Sequence, residues 1–152
     1  MKGTRQGARR VTRLALVGVA AGVVVASAAG ASTSGRITAL RARFYSDHGH
    51  FGVRYRGLQQ PTVDLRVYRT PGAYHRIADH RRTIGRGWRK VYSTERTGLS
   101  GLAVFNVYYD VDLGARCGAT RRLNYVAAFR LFNATTDAAV DRFRYSFYLN
   151  CR

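Results

Sequence analysis

Arginine dominates the chemistry that this sequence offers. The chain of 152 residues contains 26 Lys and Arg against 8 Asp and Glu, a formal net charge of +18. Guanidinium groups pair with phosphate or carboxylate oxygens through two parallel hydrogen bonds. The composition therefore indicates a polyanionic partner, such as nucleic acid or an anionic cell-wall or surface polymer. The alternative is charge that serves only to keep the protein soluble.

A long basic segment holds most of the candidate binding residues. Residues 70–90 fit neither the strand period nor the helix period, and a connection of about 20 residues is long for a compact domain. Such connections frequently carry function, and here only Asp79 opposes the basic residues. Two arginines on the last predicted strand complete the set. The candidate polyanion-binding residues are Arg76, Arg81, Arg82, Arg86, Arg89, Lys90, Arg142 and Arg144.

A second pattern is an alternation of Arg and Tyr on three predicted strands. If these strands are neighbours, their outer face forms a grid in which Arg pairs phosphates and Tyr stacks on bases or sugars. The alternative is an ordinary solvated face, on which arginine stems cover apolar surface. The grid consists of Arg41, Arg43 and Tyr45 on the first strand, Arg54 and Arg56 on the second, and Arg142, Arg144 and Tyr148 on the last.

Catalysis has less support in the residue types. A small secreted nuclease would need Glu95 as general base, His75 or His80 as acid, and an arginine on the phosphate. The candidates for that last role are Arg81, Arg82 and Arg86. A chain so rich in arginine offers such a trio by composition alone, so we predict no catalytic residues. A phosphodiesterase stays open as an alternative, as does a structural or inhibitor domain that binds a protein partner.

One short segment carries residue types that bind metals. Asp47, His48 and His50 place three potential ligands within four residues, and the two imidazoles lie on one side of an extended chain. A structural zinc site needs four ligands, and the sequence supplies no fourth at a defined spacing. We therefore predict neither a metal nor a cofactor.

The N-terminus has the features of a signal peptide. Five basic residues precede an uninterrupted run of small apolar residues from 14 to 26, and small residues continue to Ala31. This order predicts a cleaved signal peptide over residues 1–31 and a secreted protein without a membrane span; an uncleaved N-terminal membrane anchor is the alternative. Cleavage leaves 21 basic against 8 acidic residues, a charge of +13.

Beyond residue 35 the apolar residues alternate with period two, which is typical of antiparallel strands with one buried face. The sequence therefore predicts a single all-β domain over residues 32–152, an antiparallel β-sandwich of immunoglobulin-like architecture, with a small β-barrel as the alternative. A short helix is expected around 74–82. The predicted strands span residues 36–45, 51–57, 62–69, 88–94, 102–113, 122–132 and 139–150.

The sequence contains two cysteines, Cys117 and Cys151. In an exported chain two cysteines are expected to pair. The alternation of the last strand assigns Phe147, Leu149 and Cys151 to its inward side. We therefore predict a structural disulfide that ties the C-terminal strand to the loop two strands earlier, which contains Cys117.

Overall fold

A computed structural model describes residues 34–115 and 122–150 of the protein. These residues form β-strands joined by turns and loops, and they contain no helix. The strands, numbered in chain order, are β1 (Arg36–Phe44), β2 (His48–Arg56), β3 (Thr62–Arg69), β4 (Ala78–Asp79), β5 (Arg89–Thr97), β6 (Leu102–Tyr108), β7 (Arg122–Asn133) and β8 (Ala138–Asn150).

The strands form two antiparallel sheets. The three-stranded sheet has the order β1-β2-β6, and the five-stranded sheet has the order β4-β8-β7-β3-β5. The two sheets pack face to face, so the predicted β-sandwich is confirmed and the alternative of one closed sheet is wrong. One face of each sheet packs on the core, and the other face points away from it.

The core follows from the alternation seen in the sequence. Phe51 and Phe105 of the three-stranded sheet each contact Phe129 of the other sheet, with ring centroids 5.8 Å apart. Alternate residues of β3, from Val63 to Val67, are fully buried between the sheets. Strands β2, β3, β6 and β7 thus each remove an apolar row from water, which is the main favourable contribution to folding.

In two turns of the described residues, a residue other than glycine adopts the left-handed backbone region. Ser100 and Gly101 have φ values of 51° and 78°, the signs that a type I′ turn requires at both central positions. This turn carries the chain from β5 in one sheet to β6 in the other. In the predicted hairpin between β7 and β8, Asp137 has φ 53° and donates its backbone N–H to the Asn133 carbonyl at 2.8 Å.

All seven predicted strands occur, β3 with the predicted bounds and the others with at least one shifted end. β2 begins three residues earlier than expected, at His48, and β6 ends at Tyr108, whereas the prediction extended to residue 113. The apolar alternation continues through Tyr109 and Val111, but the chain there leaves the sheet in a turn. In that turn the Asp112 carboxylate accepts a hydrogen bond from the Tyr108 backbone N–H at 2.8 Å.

The helix expected around 74–82 is wrong. This segment is extended, and Ala78–Asp79 forms the two-residue strand β4 against β8. Ile77 explains the difference, since its N–H donates to the Ser146 hydroxyl at 2.7 Å and its carbonyl accepts from the Ser146 N–H at 2.9 Å. Pairing with a strand distant in sequence therefore satisfies the backbone groups that a helix would have paired internally.

The predicted signal peptide and both cysteines lie outside the described residues, so those interpretations remain predictions. Within residues 34–115 and 122–150, no helix has the length and apolar character needed to cross a membrane.

Candidate functional site

Segment 70–88 lies across the outer face of the five-stranded sheet. The Tyr74 hydroxyl donates to the Ser146 carbonyl at 3.3 Å, and the Asn124 side chain donates to the Gly72 carbonyl at 2.8 Å. Ser146 and Asn124 are buried although both lie on the face expected to be solvated. The segment therefore adds a third layer to one side of the sandwich.

Trp88 is at the C-terminal end of this layer. Its ring lies 6.3 Å from that of Tyr68 on β3, and the Arg144 guanidinium lies 5.7 Å from the indole centroid. A Cβ atom built at Gly85 would overlap the indole. Only a residue without a side chain leaves Trp88 in this position, so Gly85 sets the path of the segment over the sheet.

Arg144 is the charged centre of the layer. It is 7% exposed, and it donates to Asp79 from Nε at 2.8 Å and from Nη2 at 2.9 Å, while Nη1 donates to the Thr83 carbonyl at 2.6 Å. The hydrogen bond from Arg144 holds the pKa of Asp79 below its usual value of 3.8. Arg144 was predicted to be solvated on the outer side of β8. That expectation is wrong because segment 70–88 covers this part of the strand.

A second carboxylate holds two arginines that the sequence did not single out. Asp64 on β3 is 8% exposed and accepts from Arg66 Nε at 3.2 Å and from Arg130 Nε at 2.7 Å. Arg130 also donates to it through Nη2. Asp64 and Arg130 are opposite each other in the β3–β7 register, which brings the pair together across the sheet.

Between these two clusters lies a pocket lined by arginine. Its apolar walls are Tyr68, Ile84 and Ala128, and it encloses about 420 Å³ including the solvent at its mouth. We call it the arginine pocket, and we define it by Arg66, Arg81, Arg82, Arg130, Arg142 and Arg144. Segment 70–88 supplies two of these arginines and strands β3, β7 and β8 supply the other four.

The charge of the arginine pocket is only partly compensated. Six guanidinium groups meet the carboxylates of Asp64 and Asp79, an excess of four positive charges. Arg81 is the weakest partner, with its Nε 3.8 Å from Asp79. Arg82 and Arg142 have no side-chain hydrogen bond or ion pair among the described residues. Their donors are free to bind an anion.

The sequence-predicted binding residues separate into two groups. The arginine pocket brings together four of them: Arg81, Arg82, Arg142 and Arg144. The other four do not line it, since Arg76 and Arg86 are exposed in segment 70–88, and Arg89 and Lys90 are exposed at the start of β5. Sequence reasoning missed Arg66 and Arg130. Their positions on the polar side of predicted strands were visible, but their proximity depends on the pairing of β3 with β7.

The predicted Arg–Tyr grid is correct for two strands and wrong for the third. β1 pairs with β2, so the arginines of those strands share the outer face of the three-stranded sheet. β8 belongs to the other sheet, so Arg142, Arg144 and Tyr148 lie on the opposite side of the sandwich. We call the first surface the three-stranded face and define it by Arg41, Arg43, Arg54, Arg56, His48 and His50.

A row of aromatic rings lies at one end of the three-stranded face. The His48 ring is between those of Tyr45 and Tyr108, at centroid distances of 4.8 and 5.2 Å. Each imidazole forms a hydrogen bond with a side-chain oxygen. His48 Nδ1 lies 2.7 Å from an Asp47 carboxylate oxygen, and His50 Nδ1 lies 2.8 Å from the Asn106 amide oxygen. Among the described residues, no group of three His, Cys, Asp or Glu side chains is placed to hold a metal ion.

The residues of the nuclease alternative are not assembled. Glu95 lies in β5 at one edge of the five-stranded sheet, and His80 follows β4 at the other edge. Four inter-strand steps separate these edges by about 19 Å, at about 4.8 Å per step. His75 lines a different depression with Tyr74 and Ser146. A general acid and base must both reach one phosphodiester, and the separation of Glu95 from His80 does not fit that requirement.

In comparisons with protein-family models, curated proteins and solved structures, nothing matches this chain.

Proposed function

We propose that this protein is a non-catalytic binding module that holds a linear, phosphate-bearing polyanion at the arginine pocket. The observation that carries the proposal is a pair of guanidinium groups, those of Arg82 and Arg142, that have no partner among the described residues and lie beside four further arginines. Arginine binds phosphate oxygens through two parallel hydrogen bonds. Nucleic acid and phosphate-bearing surface polymers share this chemistry.

The two carboxylates give the pocket a fixed shape. Asp79 holds Arg144, and Asp64 holds Arg130 and Arg66, so these three guanidinium groups are positioned before a ligand arrives. Positioning in advance lowers the entropy lost on binding. Tyr68 and Ile84 provide apolar walls, which strengthen nearby electrostatic interactions by excluding water.

We also propose that the protein is exported. The predicted signal peptide over residues 1–31 would deliver a mature domain of charge +13 outside the cytoplasm. There it would meet anionic surface polymers or released nucleic acid, and its excess charge would accelerate association with either.

The test compares the purified protein with an Arg82→Gln/Arg142→Gln variant. Binding to a single-stranded oligonucleotide and to inorganic polyphosphate is measured by fluorescence anisotropy across a salt series. We expect the affinity of the variant to fall by about tenfold or more, because two charge-assisted contacts are lost. The slope of log affinity against log salt should decrease by about 0.7 for each phosphate contact removed from the oligonucleotide.

The matched control is an Arg86→Gln/Arg96→Gln variant. Both residues are exposed, neither lines the arginine pocket, and the change of net charge is the same. Equal losses in the two variants would mean that diffuse charge binds the polymer and that the pocket is no site. If neither polymer binds at low salt, the proposed function is wrong, and a protein partner becomes the better explanation.

A further inference from the structure

The three-stranded face is a second cationic surface. The sequences of β1, β2 and β6 contain no Asp or Glu. The guanidinium groups of Arg41, Arg43, Arg54 and Arg56 have no hydrogen-bond or ion-pair partner in the part of the chain that the structure describes. The nearest carboxylate along the chain is Asp47, in the turn beyond β1, where it engages His48. An anionic ligand complements this charge.

The strand register concentrates the charge. Arg43 is opposite His50, and His50 is opposite Asn106, so one row crosses all three strands. Arg41 lies in the next row and Arg54 in the row after it, opposite Ala39. Rows on one face are about 6.8 Å apart and strands about 4.8 Å apart, so the arginines form one continuous patch.

The three-stranded face and the arginine pocket point in opposite directions. The first is the outer surface of one sheet, and the second lies on the outer surface of the other. The core, with Phe51 of one sheet packed on Phe129 of the other, lies between them. Packed sheets are about 10 Å apart, and the side chains on both outer surfaces increase the separation of the two sites. A short polyanion that lies on one surface therefore cannot reach the other.

We infer that the protein bridges two separate polyanion chains, one held in the arginine pocket and one on the three-stranded face. The inference rests on the proposed function, because the pocket is one of the two sites. Its consequence is cross-linking: a domain with two opposed sites joins polymer chains into a network, and attachment to a long polymer gains from multivalency.

The experiment uses short oligothymidylate strands, which do not pair with one another. One population carries a donor fluorophore and the other an acceptor. Stoichiometry is measured by titration, and bridging by energy transfer between strands. We expect two strands per protein molecule, and energy transfer that appears only when protein is added. Light scattering measures the mass of the free protein. A dimer that binds one strand per protomer would overturn the inference, because the two strands would then not be held by one molecule.

Two variants assign the sites. One variant, Arg41→Gln/Arg43→Gln/Arg54→Gln/Arg56→Gln, neutralises the three-stranded face. The other, Arg82→Gln/Arg142→Gln, weakens the pocket, and strand concentrations are set between the dissociation constants of the wild-type and variant pockets. The substituted side chains have no partners among the described residues, and circular dichroism and thermal unfolding check that each variant folds. Each variant should bind one strand per molecule and lose the energy transfer.

The outcomes separate the inference from the proposed function. One strand per wild-type molecule, with no energy transfer, would overturn the bridging inference; the pocket proposal stands if the Arg82→Gln/Arg142→Gln variant loses that strand and fails if it keeps it. Energy transfer that persists unchanged in both variants would also overturn it, because the bridge would then form elsewhere. Absence of any binding would defeat the proposed function and the inference together.

Discussion

Arg144 and Asp79 form a bidentate ion pair that fastens segment 70–88 to the sheet, with Nε–Oδ1 and Nη2–Oδ2 distances of 2.8 and 2.9 Å. The third donor of Arg144 reaches the Thr83 carbonyl in the same segment. One side chain of β8 thus binds two points of the covering layer. The position of Arg82, which has no partner of its own among the described residues, depends on this attachment.

Asp79→Asn should destabilise the protein. The substitution removes the charge that compensates a buried guanidinium group, and we expect a loss of about 1–3 kcal/mol in the free energy of unfolding. Chemical denaturation followed by circular dichroism measures it. Asp110→Asn is the control, since it makes the same charge change at an exposed turn residue. Equal effects of the two substitutions would show that the ion pair contributes nothing specific.

Stability should also fall in acid through Asp79. Its pKa in the folded protein lies below the usual 3.8 because Arg144 donates to it. The unfolded chain therefore binds the proton more readily, and the stabilisation is present above pH 3.8 and lost as the pH falls through the folded pKa. We expect the unfolding free energy to fall more steeply in the wild type than in Asp79→Asn.

The difference between the two proteins is the quantity to measure, because other carboxylates titrate in the same range. Asp47 is one of them, since its hydrogen bond to His48 also lowers its pKa. Parallel stability curves below pH 4 for wild type and Asp79→Asn would contradict the assignment to Asp79.

Gly85→Ala should displace Trp88. A Cβ at position 85 would overlap the indole, and overpacking of this kind costs about 1–3 kcal/mol. Trp88 is the sole tryptophan of the chain, so its fluorescence reports the change directly, as a shift to longer wavelength on exposure to water. The control is Gly52→Ala, where the nearest atom to the added Cβ lies at an ordinary 3.7 Å. An unchanged emission spectrum in Gly85→Ala would refute the packing argument.

The Cys117–Cys151 disulfide stays a prediction, because both cysteines lie outside the described residues. Arg122 and Asn150 are opposite each other at the open end of the β7–β8 pair, and the cysteines lie five residues before the first and one after the second. Intact mass spectrometry should give a mass two hydrogens below that of the reduced chain. Cys117→Ser/Cys151→Ser should lose about 3–4 kcal/mol of stability. Two free thiols in protein purified without a reductant would disprove the pairing.

The sequence alone predicted seven of the eight strands and favoured a sandwich over a small barrel. Alternation along strands such as β3 and β6 is a local signal, because successive side chains point to opposite faces whatever the neighbouring strand is. The same signal assigned Arg41 and Arg43 to the outer side of β1 correctly. The amino-acid composition sets the net charge, and this charge indicates a polyanionic partner.

Only the tertiary structure decided which arginines meet. Arg144 and Ser146 are buried because segment 70–88 docks on β8, and no local pattern predicts that docking. Strand order likewise joins Arg130 to Asp64 and places β1 and β8 in different sheets. These relationships arise from pairing between residues far apart in sequence. Alternation fixes which side of a strand a residue occupies, but it carries no information on which strand lies beside it.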